Sequence, residues 1–245
     1  MIKLISLAAT TLLTTTLFAS GHGTHWSYTG DTGPAHWGDL NEAYHMCKEG
    51  KNQSPIDLSG FIEAELPAIS IDYKAVATTD INNGHTVKVD FAEGSTLSID
   101  GKSFDLKQYH FHTPSENTID GKHFPMEAHF VHADKDGNLA VIAVMFKEGK
   151  ANDSLQTIID HMPKKAGDKN DLSAAKLNAM ALLPENKDYY RFNGSLTTPP
   201  CSEGVRWIVM KTPVEASKAQ LEAFASVMGK NNRPVQPLNA RPTLK

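Results

Sequence analysis

The segments Gln108-Tyr-His-Phe-His112 and Met126-Glu-Ala-His-Phe-Val-His132 decide how this sequence is interpreted. Polar and apolar side chains alternate along the first segment and along most of the second, which is the pattern of a half-buried β-strand. Side chains two residues apart on a strand lie on the same face. His110 and His112 therefore share one face, and a neighbouring strand can present His129 to them.

Three histidines that converge in this way are the ligand set of a catalytic zinc ion. Strand residues two apart lie roughly 6.6 Å apart at Cα, while nitrogens around tetrahedral zinc lie ~3.3 Å apart, so two imidazoles can converge on one ion. Neutral imidazoles leave the full charge on the metal and one position open for water, which favours hydration or hydrolysis. Ordinary core or surface histidines are the better interpretation of any single histidine among the eleven, but not of this pattern.

The neighbours of these histidines strengthen the metal interpretation. A histidine that binds a metal usually donates its second ring N–H to a carboxylate or amide oxygen. Glu127 shares a strand face with His129, and Gln108 shares one with His110. His132 has the wrong parity to join them. The sequence therefore predicts Gln108 and Glu127 as the groups that orient the metal ligands.

Alternating segments continue on both sides of this region, at 85–91, 95–99, 139–146 and 205–210. Turn signals separate them at Asn83-Gly84, Asp100-Gly101, Asp120-Gly121 and Asp136-Gly137. The sequence thus predicts a mainly β (α+β) fold, a large and mostly antiparallel sheet with short peripheral helices.

The clearest helix is predicted to begin at Thr212. Thr212-Pro-Val-Glu215 has the pattern of a capping box with proline at the first helical position. The apolar stripe of this helix would contain Leu221, Phe224, Val227 and Met228.

The N-terminus has the layout of a secretory signal peptide. Lys3 precedes an uncharged apolar run from Leu4 to Phe18, and small residues follow. A membrane anchor is the alternative, but the run is shorter than the roughly 20 residues needed to span a bilayer and contains five threonines. Residues 1–20 are therefore predicted as the signal and 21–245 as one exported domain.

Composition limits the partners of the mature chain. Loss of Lys3 leaves 23 basic and 28 acidic residues, a formal charge of −5, so no nucleic-acid partner is predicted, and no membrane partner either. Cys47 and Cys201 are the two cysteines. Export favours a disulfide between them over two buried thiols. Closing so long a loop would stabilise the fold by ~5 kcal/mol in the chain-entropy model.

Six further motifs occur in order along the chain. They are Trp26-Ser-Tyr28, Gly33-Pro-Ala-His-Trp37, Gln53-Ser-Pro55, Asn82-Asn-Gly-His85, Ser195-Leu-Thr-Thr-Pro-Pro200 and Arg233-Pro-Val-Gln-Pro-Leu238. With the histidine strands, they make the chain resemble an alpha-class carbonic anhydrase of the bacterial, exported kind. The resemblance implies a central ten-stranded twisted sheet, zinc at the floor of a conical cavity, and often a homodimer. The implied location is periplasmic or extracellular in a bacterium.

The implied reaction is the reversible hydration of carbon dioxide to bicarbonate and a proton, by attack of zinc hydroxide. The resemblance assigns Thr197 to accept a hydrogen bond from that hydroxide and Glu116 to accept one from Thr197. It assigns His85 as the proton shuttle, with Tyr28 and Asn83 ordering the intervening water. The substrate wall implied by the resemblance comprises Val131, Val141, Leu196, Thr198, Val205 and Trp207.

The chain departs from the pattern of the family at two places. The segment between His112 and Glu116 is shorter than in animal members, and Lys88 stands where a neutral polar residue is common.

Two rival functions are open. A catalytically silent binding module of the same fold is one of them, although all the implied active-site residues are present. The other is a periplasmic zinc carrier, which His22 and His25 could serve. The sequence contains neither the His-Glu-x-x-His motif nor the Gly-x-Ser-x-Gly motif, so it gives no indication of another hydrolase.

Overall fold

The computed structural model describes residues 24–245. Strands dominate these residues and the helices are short, so the predicted mainly β (α+β) class is confirmed. The predicted signal peptide, residues 1–20, lies outside the described residues. Among the described residues, no helix is long or apolar enough to cross a membrane.

Thirteen strands and four α-helices occur in the described residues, together with short 3-10 turns. The strands are β1 (Asp57–Leu58), β2 (Ser70–Tyr73), β3 (Ala77–Asn82), β4 (Val87–Phe91), β5 (Ser95–Ile99), β6 (Lys102–His112), β7 (Thr118–Ile119), β8 (Met126–Ala133), β9 (Leu139–Glu148), β10 (Lys169–Asp171), β11 (Tyr189–Ser195), β12 (Glu203–Met210) and β13 (Val214–Ala216). The helices are α1 (Trp37–Leu40), α2 (Met46–Glu49), α3 (Asp153–His161) and α4 (Lys218–Met228).

One large sheet contains eleven of these strands in the described part of the chain. Eight follow the order β10-β3-β4-β6-β8-β9-β12-β11, β5 joins β6 and β2, and β13 joins β9. Among the described strands of this sheet, only the pairs of β9 with β12 and β13 are parallel, so the sheet is mostly antiparallel, as predicted. It has one strand more than the implied ten. The strands β10 and β13 have three residues each, too few for an alternating pattern to reveal them from the sequence.

The two faces of the sheet bury two separate apolar clusters. The larger cluster contains Tyr109, Phe111 and Phe130 from the central strands, and α3 and α4 cover it. In α3 the side chain of Asn152 caps the first turn by accepting from the Ser154 and Leu155 N–H groups. The smaller cluster lies on the opposite face, the one that carries the histidines.

The helix predicted to begin at Thr212 begins instead at Lys218, so that prediction is wrong. Residues Val214–Ala216 pair in parallel with Phe146–Glu148 of β9, and this pairing prevents them from forming helix. The capping box belongs to Ser217 and Gln220, each of which bonds the backbone of the other. Burial of Leu221 and Phe224 confirms the predicted apolar stripe.

Two connections tie the loops to the sheet. Cys47 and Cys201 form a disulfide bond, as predicted. The turn that follows β3 reverses direction at Gly84, whose φ of 85° is a conformation that other residues rarely adopt. This turn places His85 between the end of β3 and the start of β4.

Candidate metal centre

The predicted cluster of His110, His112 and His129 is formed by strand register. β6 and β8 are antiparallel neighbours, and His110 lies directly opposite His129. The ring centroids of His112 and His129 are 4.6 Å apart, and those of His110 and His129 are 5.3 Å apart. One ring nitrogen from each histidine lies within 4.8 Å of the other two. Parity on two strands thus brings the three imidazoles together.

Each of the three rings has one nitrogen close to an outer oxygen. Nδ1 of His110 lies 2.9 Å from Oε1 of Gln108. Nε2 of His129 lies 3.0 Å from Oε1 of Glu127, but the geometry of this contact does not meet the criteria for a hydrogen bond. Nδ1 of His112 donates to the backbone oxygen of Asn231 at 2.7 Å. Sequence reasoning missed Asn231, because the group it contributes is a carbonyl that every residue has.

The remaining nitrogens fit a zinc ion. Burial lowers the pKa of all three histidines, most for His110 and His129, and so favours the neutral imidazole that binds metals. Nε2 of His112 is buried and has no hydrogen-bond partner. A buried nitrogen without a partner is costly unless something occupies the centre. A neutral three-nitrogen set suits zinc with a fourth position open.

Glu116 lies beside this cluster and is completely buried. Its Oε1 accepts a hydrogen bond from the Arg233 N–H at 2.8 Å, and its Oε2 lies 3.6 Å from Nε2 of His112. Burial raises the pKa of Glu116 to about 8, while the bond from the Arg233 N–H and the nearby Thr197 hydroxyl act to lower it. Oε2 makes no hydrogen bond of full geometry and also lies 3.9 Å from Nδ1 of His129.

Glu127 serves two purposes at once. Besides its contact with His129, its Oε2 accepts from the backbone N–H groups of Glu116 and Asn117 at 2.7 and 2.9 Å. Burial raises the pKa of Glu127, and the side chain of Asn117 is the largest influence that lowers it. One carboxylate therefore connects the chain around Glu116 to a metal ligand.

A small cavity of about 150 Å³ opens onto the cluster. Its lining consists of Trp26, Tyr28, Asn83, His85, Thr86, Lys88, Gln108, His110, His112 and Thr198. A larger groove of about 490 Å³, between Glu63 and Lys211, contains none of these residues. The cavity thus brings together Tyr28, Asn83, His85 and Thr198, which the sequence interpretation had placed at one site.

His85 is half-buried at the mouth of the cavity and not fully exposed. Its ring stacks on Trp26, with centroids 3.7 Å apart and planes 6° apart. Burial lowers the pKa of His85, and His25 lowers it further. Oδ1 of Asn83 accepts from the N–H groups of His85 and Thr86 and so shapes the turn.

An apolar wall adjoins the histidines on the same face of the sheet. Val141, Val205 and Trp207 are each 2% exposed and pack in one cluster, against which Val131 and Leu196 also lie. The Trp207 ring meets His129 edge-on, with centroids 4.9 Å apart. All five apolar residues of the predicted wall are therefore contiguous with the metal centre.

The fold and the site together define the class of enzymes in which three histidines hold one zinc ion on a large β-sheet. The chain matches the family model of the eukaryotic-type carbonic anhydrases over residues 32–245. It therefore belongs to that family and is one of its zinc enzymes.

Individual relatives agree with this assignment. The chain is 48% identical over 244 residues to a carbonic anhydrase of Neisseria gonorrhoeae, covering 96% of this chain and 94% of that protein. The structure of an alpha-carbonic anhydrase from Thermovibrio ammonificans, solved with the inhibitor sulfanilamide, matches with a TM-score of 0.89 and 56% identity over 91% of this chain and 100% of that one. For the Photobacterium profundum alpha-carbonic anhydrase the TM-score is 0.86 and the identity 53%, over 90% and 100%.

Proposed function

We propose that the chain catalyses the reversible hydration of carbon dioxide to bicarbonate and a proton. The observation that carries this proposal is the set of three clustered histidines, held in register on β6 and β8, in a chain of the carbonic anhydrase family. Zinc held by His110, His112 and His129 would polarise a water molecule and supply a hydroxide nucleophile near neutral pH.

Glu116 and Thr197 orient the attacking oxygen in this proposal. A zinc ion beside Glu116 would favour its ionised form, and a carboxylate accepts hydrogen bonds and cannot donate them. If the Thr197 hydroxyl donates a hydrogen bond to Glu116, the Thr197 oxygen can accept a hydrogen bond from the attacking group. The buried Oε2 of Glu116, which has no hydrogen-bond partner of full geometry, supports this role because it is free to accept such a bond. A lone pair of the attacking oxygen is then turned toward the substrate.

Carbon dioxide is held by the apolar wall beside His129. The substrate has no charge and no hydrogen-bond donor, so polar side chains would bind water there in preference to it. The packing of Val141, Val205 and Trp207 around the metal centre supports this role. Thr198, at the edge of the cavity, completes the substrate site.

The proton leaves through His85. An imidazole whose pKa lies near that of its donor transfers protons efficiently, and His85 shares the cavity with His110 and His112. Tyr28 and Asn83, which also line the cavity, order the water between the metal centre and His85. The buried Tyr28 hydroxyl has no protein hydrogen-bond partner, which supports its bonding to water.

Stopped-flow measurement of carbon dioxide hydration tests the proposal. The mature protein is assayed as purified, after removal of zinc, and after zinc is added back. The His110→Ala variant should lose both zinc and activity. His132→Ala is the control, because His132 is a fully buried histidine of β8 that bonds Tyr73 and Ala140 on the opposite face and not the metal centre. It should lose stability and keep its zinc.

Zinc-dependent turnover that requires His110 supports the proposal. A folded, zinc-loaded protein without hydration activity would contradict it and favour the binding-module function. Equal zinc loss in both variants would contradict the assignment of His110 as a ligand.

Export and assembly as a homodimer belong to the same proposal. The Cys47–Cys201 disulfide supports an oxidising compartment. Cell fractionation and analytical ultracentrifugation would test location and assembly separately. Protein retained in the cytoplasm would contradict export, and a monomer at micromolar concentration would contradict the dimer.

A further inference from the structure

The residues that follow α4 hold two parts of the metal centre through backbone groups. We refer to Asn231–Arg233 as the 231–233 segment. The Asn231 carbonyl accepts from Nδ1 of His112 at 2.7 Å, and the Arg233 N–H donates to Oε1 of Glu116 at 2.8 Å. A shift of this segment would therefore move a metal ligand and Glu116 together.

Regular secondary structure does not fix the segment, because its residues lie in neither a helix nor a strand. One backbone bond, from the Asn231 N–H to the Thr113 carbonyl at 3.2 Å, helps to place it, and the other bonds that place it involve side chains. The Asn231 side chain supplies some of them, by accepting from the Thr113 N–H at 2.7 Å and donating to the Phe111 carbonyl at 2.9 Å. These bonds hold the start of the segment against the end of β6.

The other end is held by the Arg233 side chain, which is 1% exposed. Nη1 donates to Oε1 of Gln53 at 2.9 Å and to the Ser54 carbonyl at 2.8 Å, and Nη2 donates to the Cys47 carbonyl at 3.0 Å. The guanidinium also lies 5.6 Å from the centre of the Trp37 ring. Each acceptor belongs to the N-terminal quarter of the chain, far from Arg233 in sequence.

These acceptors are themselves fixed to the loop that carries Thr197. Gln53 donates to the Cys201 carbonyl at 3.0 Å, and the Ser54 N–H donates to Oγ of Ser195 at 2.9 Å. The Cys47–Cys201 disulfide joins the same two regions covalently. The guanidinium of Arg233 is thus anchored to a structure that already holds the loop beside the metal centre.

We propose that Arg233 is a positioning residue of the metal centre, and this inference rests on the function proposed above. Its planar guanidinium fixes the 231–233 segment, which in turn holds the ring of His112 and the carboxylate of Glu116. A lysine cannot replace it, because an ammonium on a flexible stem cannot reach the same fork of acceptors. Arg233 contacts no reacting group and acts through its neighbours.

Arg233→Lys, compared with Arg241→Lys, tests the proposal. Arg241 is the matched control because it is 9% exposed and its guanidinium also donates to three acceptors, the backbone carbonyls of Asn193, Pro237 and Leu238. None of these groups contacts the metal centre. Both variants should lose stability, so stability alone does not distinguish a positioning residue from a structural one.

Two readouts distinguish them. One is the equilibrium zinc affinity, measured by competition with a chelator in the absence of substrate. Arg233→Lys should weaken it about 10–100-fold, and Arg241→Lys should leave it unchanged. The other is hydration by the fully zinc-loaded variants, in which kcat should fall for Arg233→Lys with a smaller change in KM.

Equal zinc affinities in the two variants and the wild type would overturn the inference. If Arg233→Lys does not fold, Gln53→Ala decides, because it removes one acceptor of the guanidinium and leaves the two carbonyl acceptors. It should weaken zinc binding in the same direction by a smaller factor, and unchanged affinity would overturn the inference. Since zinc affinity is measured without substrate, this result is independent of whether the wild type hydrates carbon dioxide.

Discussion

Each metal-site histidine uses one ring nitrogen for the protein and leaves the other for the metal. The outer partners of Nδ1 in His110 and His112 leave Nε2 free, whereas the contact of Nε2 in His129 with Glu127 leaves Nδ1 free. The outer oxygens therefore set the tautomer of each ring before any metal binds. Two of these three oxygens belong to side chains that strand parity predicts.

The stack of Trp26 on His85 should control the pH dependence of proton transfer. Burial lowers the pKa of His85 below its ordinary value, so the neutral ring that accepts protons persists to lower pH. Turnover limited by proton transfer should fall as pH drops through this pKa. Trp26→Ala exposes the ring and raises its pKa, so the acid limb of kcat should move to higher pH.

The pH profile of kcat in weak buffer measures this shift. His25→Ala is the control, because His25 is the second and smaller cause of the lowered pKa. It should move the limb in the same direction by less. An acid limb that stays at the wild-type position in Trp26→Ala would show that the stack does not set the pKa of His85, the proposed proton acceptor.

Residue-level prediction from sequence succeeds where a side chain announces its chemistry. The parity of His110, His112 and His129 was sufficient to predict the cluster, because each imidazole is identifiable and each strand has a two-residue period. Asn231 could not be found in this way. Its backbone carbonyl reaches His112 across 119 residues of sequence, and only the folded chain reveals that contact.

At the level of elements, tertiary pairing decided where α4 begins. Both Thr212 and Ser217 are followed three residues later by a residue that can complete a capping box. Pairing of Val214–Ala216 with β9 excludes the first of them. Local sequence cannot rank the two sites, because the partner strand lies some 70 residues earlier.

Ser217→Ala should destabilise the protein by about 1 kcal/mol, since it removes the acceptor for the Gln220 N–H. Thr212→Ala should have little effect, because Thr212 is exposed and lies outside the helix. Urea unfolding of the two variants beside the wild type measures the difference. If Thr212→Ala lowered the free energy of unfolding more than Ser217→Ala, the assignment of the helix cap to Ser217 would be wrong.

Asp80 on β3 should make stability depend on pH. The carboxyl is 0% exposed and neither oxygen has a hydrogen-bond partner. Burial raises its pKa from 3.8 to about 7, against the smaller opposing influence of His161 and Lys164. The folded state therefore holds a proton that the unfolded state releases above pH 4. Stability contributed by this group is present below pH 4 and is lost as pH rises toward 7.

Asp80→Asn removes this titration while keeping the shape of the side chain. Its gain in unfolding free energy over the wild type should be larger at pH 8 than at pH 5, by up to about 3 kcal/mol, because about two pKa units separate pH 5 from the raised pKa of about 7. Urea unfolding at both pH values measures it. The nearby Tyr109 hydroxyl is also buried without a partner, but it is present in both proteins and so does not contribute to the difference between them. Equal gains at the two pH values would contradict the raised pKa.

Considered as a whole, the molecule assembles its active centre from distant parts of the chain. The N-terminal region supplies Trp26 and Tyr28, the central strands supply the metal ligands, and the C-terminal region supplies Asn231 and Arg233. The sequence predicted the sheet because apolar alternation is a local signal. It could not predict how the two ends of the chain meet, because that depends on contacts between single residues.

Loss of the Cys47–Cys201 disulfide should lower both stability and activity. The bond closes a loop with a sequence separation of 154, which corresponds to ~5 kcal/mol in the chain-entropy model. It also joins the regions that hold Arg233 and Thr197. Cys47→Ser/Cys201→Ser should unfold at lower urea concentration and turn over more slowly. Activity equal to that of the wild type under folding conditions would show that the disulfide stabilises the chain without influencing the centre.

The direct opposition of His110 and His129 on antiparallel strands makes the metal centre a checkpoint for correct folding. Because successive side chains alternate between faces, a slip of one residue would send one of these imidazoles to the far side of the sheet. A misregistered molecule would have His110 and His112 on one face with no histidine directly opposite His110, because His132 pairs near Leu106. Tight metal uptake is then restricted to molecules whose strands are correctly aligned, and the zinc content of a preparation counts its properly folded fraction.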